Sequence, residues 1–292
     1  MTCARIEWLF VLCKRRVRLM RNMPIGVFDS GVGGLTVARS LIDRLPREHM
    51  VYLGDDARGP YGPRDPEEVR GFAREIIDYM LGFDVKLVVI ACNSATAAAL
   101  EEAQRDYVIP IVGVILPGVR AALRRSKNRR IGVIGTVLTV ESGSYETAIR
   151  KLDPGAEVIS RACPEFVDFV ERGEVDGEHI VEIARGYLSP MVEAGVDTVI
   201  LGCTHYPMLE ALIQRIVGDG VALISSADET AEEVADVLER LGWFRNDGPT
   251  GTRYFLATGD AEKCAELGRM FLGPEVGEVM RVSFDMRPDL GF

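Results

Sequence analysis

The sequence predicts an α/β protein made of two pseudo-symmetric, doubly wound parallel-sheet domains, with an active site in the cleft between them. Three observations carry this expectation. Short apolar runs rich in β-branched residues alternate with helix-like stretches from Pro24 onward, the pattern of strands buried on both faces. Polar clusters follow directly after those runs, at the strand ends where parallel sheets bind ligands. A weak repeat relates two halves: Ile25-Gly-Val leads to Cys92 after 67 residues, and Ile131-Gly-Val leads to Cys203 after 72.

Taken in order, Ile25–Phe28 is a buried strand, followed by the corner Asp29-Ser-Gly-Val-Gly-Gly34 and an amphipathic helix through Arg44. Met50–Leu53 is the next strand, and Asp65 opens a helix over Pro66–Leu81 as a side-chain cap. Leu87–Ala91, Ile111–Val114, Ile131–Ile134, Val158–Ile159, Thr198–Leu201 and Val221–Ile224 continue the strands, and a late one lies around Thr252–Leu256. The division that follows is an N-terminal extension over 1–22, a first domain of 23–116 plus 225–292, and a second of 117–224. The extension holds six basic residues against one acidic, leaving −15 on the rest of a chain whose total is −10. Its apolar stretch Trp8–Cys13 precedes its basic cluster, the reverse of a secretory signal, and is too short for a membrane span. A flexible tail is expected there.

The acidic balance argues against nucleic acid as a primary partner, since that binding rests on clustered Lys and Arg. Six cysteines without a CxxC pair point to reduced thiols in the cytoplasm. The three histidines share no metal-ligand spacing, so no metal site is expected. Gly31, Gly33 and Gly34 miss the dinucleotide fingerprint because its sixth position is Thr36, and none of the five lysines lies at a strand end with a phosphate cradle. No cofactor, no membrane, a small-molecule substrate and a homodimer are the expectations.

The chemistry is read from the corners. Cys92 and Cys203 each end a strand run and precede small polar residues at an expected helix start, where a thiolate is accessible near neutral pH. Two thiols in matching corners suit an acid/base pair working on opposite faces of one carbon, as racemisation without an electron sink demands. Asn93 and Ser94, and Thr204 and His205, add short donors that hold carboxylates or simply cap helices. Asp29 is suited to a substrate ammonium, to raising a thiol's basicity, or to capping a helix; the neighbouring glycines suit close backbone approach to a ligand. Tyr61-Gly62 lies in a Gly/Pro loop placed to lid a pocket, Thr136 and Thr139 offer hydroxyls at the mirror-related corner, and Glu171 and His205 complete the titratable groups.

Together, Asp29-Ser-Gly-Val-Gly-Gly-Leu-Thr36, Tyr61-Gly62, Ala91-Cys-Asn-Ser-Ala-Thr96, Gly135-Thr-Val-Leu-Thr139, Cys163-Pro-Glu-Phe-Val167 and Gly202-Cys-Thr-His-Tyr-Pro207 resemble the bacterial glutamate racemases over about residues 24–275. The resemblance implies cofactor-independent interconversion of L- and D-glutamate, supplying D-glutamate for peptidoglycan. It implies Cys92 and Cys203 as the acid/base residues, assisted by Asp29, Glu171 and His205. It also implies substrate contacts from Asp29, Ser30, Tyr61, Gly62, Asn93, Ser94, Thr136, Thr139, Thr204 and His205. Departures from the family pattern are Asp56 where many members have Thr, Ser94 for the commoner Thr, and the leader. An aspartate racemase on the same scaffold is the near alternative; a non-catalytic binder of a small anion is the alternative from another class.

Overall fold

Two purely parallel sheets organise the computed structural model, which describes residues 19–292. In the first half β1 (Ile25–Asp29), β2 (Met50–Gly54), β3 (Leu87–Ile90) and β4 (Ile111–Gly113) are joined by α1 (Leu35–Arg44), α2 (Pro66–Leu81) and α3 (Asn93–Asp106). Helix α4 (Ile115–Arg125) leads to the second half. There β5 (Arg130–Gly135), β6 (Glu157–Ala162), β7 (Thr198–Gly202) and β8 (Ala222–Ile224) are joined by α5 (Val137–Glu141), α6 (Ser144–Leu152), α7 (Glu165–Glu171), α8 (Glu178–Glu193) and α9 (Glu210–Val217). The chain returns through α10 (Ala227–Leu241), β9 (Arg253–Ala257), α11 (Ala261–Leu272) and β10 (Val279–Arg281).

The strand orders make the internal repeat concrete. The second sheet runs β6-β5-β7-β8, and the first contains β2-β1-β3-β4, the same order, extended on the β2 side by β9 and β10. β1 and β5 are therefore equivalent, and so are β3 and β7, the strands that carry Cys92 and Cys203 at their ends. The glycine of each Ile-Gly-Val has a packing reason. A Cβ on Gly26 would stand 2.9 Å from the Met80 sulfur of α2, and one on Gly132 would stand 2.9 Å from the Met191 sulfur of α8. Each covering helix thus lays a buried methionine on the sheet where a side chain is missing, a contact contributing about 1.5–3 kcal/mol by area.

Strands buried on both faces explain the continuous apolar runs. Ile25 and Val27 join the layer beneath α1 and α10, while Phe28 joins the opposite layer beneath α2 and α3. Helix α2 starts as expected, with the Asp65 carboxylate accepting from the Glu67 N–H at 2.8 Å and Pro66 in the first turn. Strand β10 was not foreseen; its three residues have no pattern of their own and are fixed by pairing with β9.

The extension reads differently from the expectation where it is described; the rest of it, residues 1–18, lies outside the described residues. Residues 19–22 are helical, and Arg21 is tied to the fold: its guanidinium donates to the Gly242 carbonyl at 3.1 Å, and its own carbonyl accepts from Lys86 Nζ at 3.0 Å. The reason is a buried charge. Lys86, fully enclosed just before β3, pairs with Glu48 and also donates to the Trp243 carbonyl at 3.1 Å, so Arg21 completes the shell of an ammonium that burial disfavours. Among the described residues no helix is long and apolar enough to cross a membrane.

Candidate active site

At the first thiol corner, β3 runs into α3 with Cys92 as the cap: its sulfur accepts from the Ala95 N–H at 3.4 Å. Small residues follow, so the helix starts directly against the sheet, and Thr96 bonds back to the Ile90 carbonyl at 3.0 Å. The thiol donates toward the Ser30 hydroxyl at 3.7 Å. Burial, and after it the Asp29 carboxylate, push the Cys92 thiol up to about 12; the Ala95 amide and Ser30 offset only part of this. The amide at the helix start eases ionisation as expected, but desolvation and a nearby anion outweigh it.

The second corner departs from the expected helix start. Cys203 precedes a 3₁₀ turn over Tyr206–Leu209, and α9 begins only at Glu210, so the sulfur does not cap a helix. An imidazole stands beside it instead. His205 Nδ1 lies 3.9 Å from the Cys203 sulfur, and Nε2 faces Glu171 Oε1 at 3.4 Å, an ion-pair distance without hydrogen-bond alignment. Burial opposes charge on this imidazole, yet the Cys203 sulfur, Glu171 and Asp29 together carry it up to about 10. Glu171, the half-open last residue of α7, is held below the usual carboxylate range by its contact with His205, against the pull of partial burial.

Asp29-Ser30, at the end of β1, lies between the two thiols. Ser30 touches the Cys92 sulfur, while Asp29 Oδ1 is 3.4 Å from the Thr204 hydroxyl, next in the chain to Cys203. Asp29 is fully buried; burial raises its carboxyl, opposed by His205, by the Gly34 and Gly31 N–H groups and by Thr204. Two of the neighbouring glycines also have a packing reason. A Cβ on Gly33 would overlap the Thr204 hydroxyl and sit 2.6 Å from His205 Nδ1, and one on Gly34 would sit 2.5 Å from the Asp29 Cβ. The missing side chains admit residues of the opposite half and of the corner itself; Gly31 alone of the three has open space. Asp29 does not cap α1, whose cap, Gly34, has no side-chain bond.

Three hydroxyls knit the halves on the Cys92 side. Ser94 Oγ is 2.9 Å from Thr136 Oγ1 and 3.4 Å from Thr139 Oγ1, and the two threonines are 3.0 Å apart. Thr136 also caps α5. Asn93 Oδ1 accepts from the Tyr145 hydroxyl at 2.7 Å, which leaves the Asn93 amide nitrogen as the group it can offer a ligand. The Gly62 carbonyl accepts from the Leu138 N–H at 3.0 Å, and a Cβ on Gly62 would meet the Thr136 Cβ at 2.8 Å, so the loop closes on the second half at a glycine. The Tyr61 side chain faces away: fully buried, its hydroxyl is bound to Asp55, so only its backbone is available to a ligand.

Two residues of this constellation were missed. Asp55 is enclosed at the end of β2 and gathers Tyr61, Arg58 at 2.7 Å and Thr258 at 2.8 Å, thereby holding the loop. Its place after a strand, in Gly54-Asp-Asp56, was the available signal. Tyr145 lies within α6 and carried none. Asp56, noted as unusual, accepts from the Gly259 and Asp260 N–H groups at 2.7 and 2.9 Å and fixes the turn that opens α11.

The arrangement offers two sulfurs, a carboxylate between them and short donors around them, gathered at the strand ends of both sheets. The model of the Asp/Glu/hydantoin racemase family matches residues 25–234. A glutamate racemase of Parafrankia sp. is 52% identical over 261 residues, covering 89% of this chain and 94% of that protein. The glutamate racemase isoform RacE1 of Bacillus anthracis superposes with a TM-score of 0.87 at 41% identity, covering 91% of this chain and 100% of the other. The glutamate racemase of Francisella tularensis, solved in complex with D-glutamate, gives 0.85 at 34% identity, covering 91% and 99%.

Proposed function

The chain belongs to the Asp/Glu/hydantoin racemase family, and from that premise we propose that Cys92 and Cys203 trade a proton across Cα of one glutamate held between the two halves. The protein is an isomerase that interconverts L- and D-glutamate, supplying the D-enantiomer for peptidoglycan. The observation that carries the mechanism is the convergence of equivalent strand ends, β3 with Cys92 and β7 with Cys203, on the Asp29-Ser30 segment between them.

In this reading Cys203, as thiolate, first removes the Cα proton of L-glutamate, and the Cys92 thiol then delivers one to the opposite face of the resulting carbanion. The product leaves behind a Cys92 thiolate and a Cys203 thiol, the form that accepts D-glutamate, and exchange with solvent resets the pair. Asp29 binds the substrate ammonium or keeps Cys92 a strong base; the raised thiol at that corner fits the second role. Asn93, Ser94, Thr136, Thr139, Thr204 and the backbone of Tyr61-Gly62 hold the carboxylates, which withdraws charge from the carbon as it ionises. His205 and Glu171 serve Cys203. No cofactor takes part.

The division into 23–116 with 225–292 and 117–224 remains part of this proposal, as do a homodimer and a cytoplasmic location. The function is tested by polarimetry or circular dichroism of purified protein with L-glutamate and no added cofactor, in deuterated water. The signal is expected to decay to zero, with deuterium at Cα of the product. A signal that persists, with no Cα exchange, would reduce the site to a binder, and faster turnover of aspartate would reassign the substrate.

A further inference from the structure

Helix α11 belongs to the six-stranded sheet, between β9 and β10, yet Phe271 near its end reaches the other half of the molecule. Its ring packs both on the layer under α1 and α10 and on the second-half core that includes Cys203 and Tyr206. There it stands nearly perpendicular to the His205 imidazole, with centroids 5.7 Å apart and planes at 81°. The imidazole is held from other directions as well: the bare Gly33 backbone lies against it, Nδ1 faces the Cys203 sulfur at 3.9 Å, and Nε2 faces Glu171 at 3.4 Å.

A perpendicular aromatic contact fixes the tilt of a ring. Tilt matters because His205 meets its sulfur at the long end of hydrogen-bond range, where a small rotation loses the contact. We propose that Phe271 is a positioning residue for the Cys203 half of the reaction: it holds the His205 imidazole against the Cys203 sulfur from a helix rooted in the opposite sheet. The inference rests on the two-thiol reading and adds an asymmetry to it. Phe271 acts on the step in which Cys203 exchanges a proton with Cα, and leaves the Cys92 step unaffected.

The test is the primary deuterium isotope effect on kcat/KM, measured with Cα-deuterated L- and D-glutamate. In Phe271→Ala, kcat/KM is expected to fall about tenfold, as for a displacement well under an ångström. The fall must be equal in both directions because the enantiomers have equal energy. The isotope effect should rise from the enantiomer that Cys203 deprotonates, L-glutamate, and shrink from the other, and Phe271→Tyr should restore the wild-type pattern. If Phe271→Ala does not fold, Phe271→Leu, which keeps the bulk but not the ring, is read by the same criterion. Isotope effects that stay at wild-type values, or move together from both enantiomers, overturn the proposal. A wild-type protein with no Cα exchange at all would instead overturn the two-thiol reading beneath it.

Discussion

Cys92 and Cys203 follow equivalent strands, yet one caps a helix and faces a carboxylate, while the other sits before a 3₁₀ turn beside an imidazole. The repeat supplies two sulfurs at matching places, and the surrounding side chains make them unlike. At the Cys92 corner, burial and Asp29 favour the protonated thiol. At the Cys203 corner, the His205 imidazole stands beside the sulfur, with Glu171 on its far nitrogen favouring the charged ring. A racemase needs one thiol protonated when the other is not. The two sulfurs meet different electrostatic neighbours, a carboxylate at one and an imidazole at the other.

The bluntest way to break this comparison is to delete either sulfur. Cys92→Ala and Cys203→Ala are each expected to lose racemisation by about 10³-fold or more while keeping the wild-type far-ultraviolet circular dichroism, since each removes one of two obligatory proton carriers. Substantial two-way activity in either variant would remove the two-thiol mechanism.

A subtler change tests the Cys92 side alone. Asp29→Asn removes the anion that, after burial, most raises the thiol. In a Cys203→Ala background, alkylation of Cys92 followed by mass spectrometry should shift to lower pH. With Cys203 restored, kcat/KM should fall about 10²-fold, because the more acidic thiol is a weaker base. An alkylation profile that does not move would show that Asp29 is electrostatically silent.

The smallest effect sharpens the other corner. His205 is lifted from an ordinary 6.5 to about 10 in the folded protein, so it binds its proton more tightly folded than unfolded. The stability it contributes is fully present below pH 6.5 and is lost as pH rises through about 10. The Tm of wild type should therefore fall relative to His205→Gln across that window, by on the order of 5 °C. A difference in Tm that is flat with pH would mean that folding does not raise the affinity of His205 for its proton.

Much of this was legible in the sequence where local rules suffice. Asp65 and Pro66 start α2 by chemistry contained in three residues, and the Ile-Gly-Val strands announce their burial on both faces. Strand β10, the Glu48–Lys86–Arg21 assembly and Tyr145 on Asn93 were not legible, because each is defined by partners far along the chain. Asp55 lay in between: a carboxylate at a strand end was visible, but not that it would hold Tyr61, Arg58 and Thr258.

By itself, then, the order of residues determined the architecture and the addresses of the chemistry: parallel strands from apolar runs, and two thiols at the ends of equivalent strands, because strand periodicity and turn chemistry are local. Only the tertiary structure decided what each thiol feels. Desolvation and Coulomb forces depend on distance in space, and it is folding that brings Asp29 to Cys92, packs Gly33 under His205 and sets Phe271 against its ring.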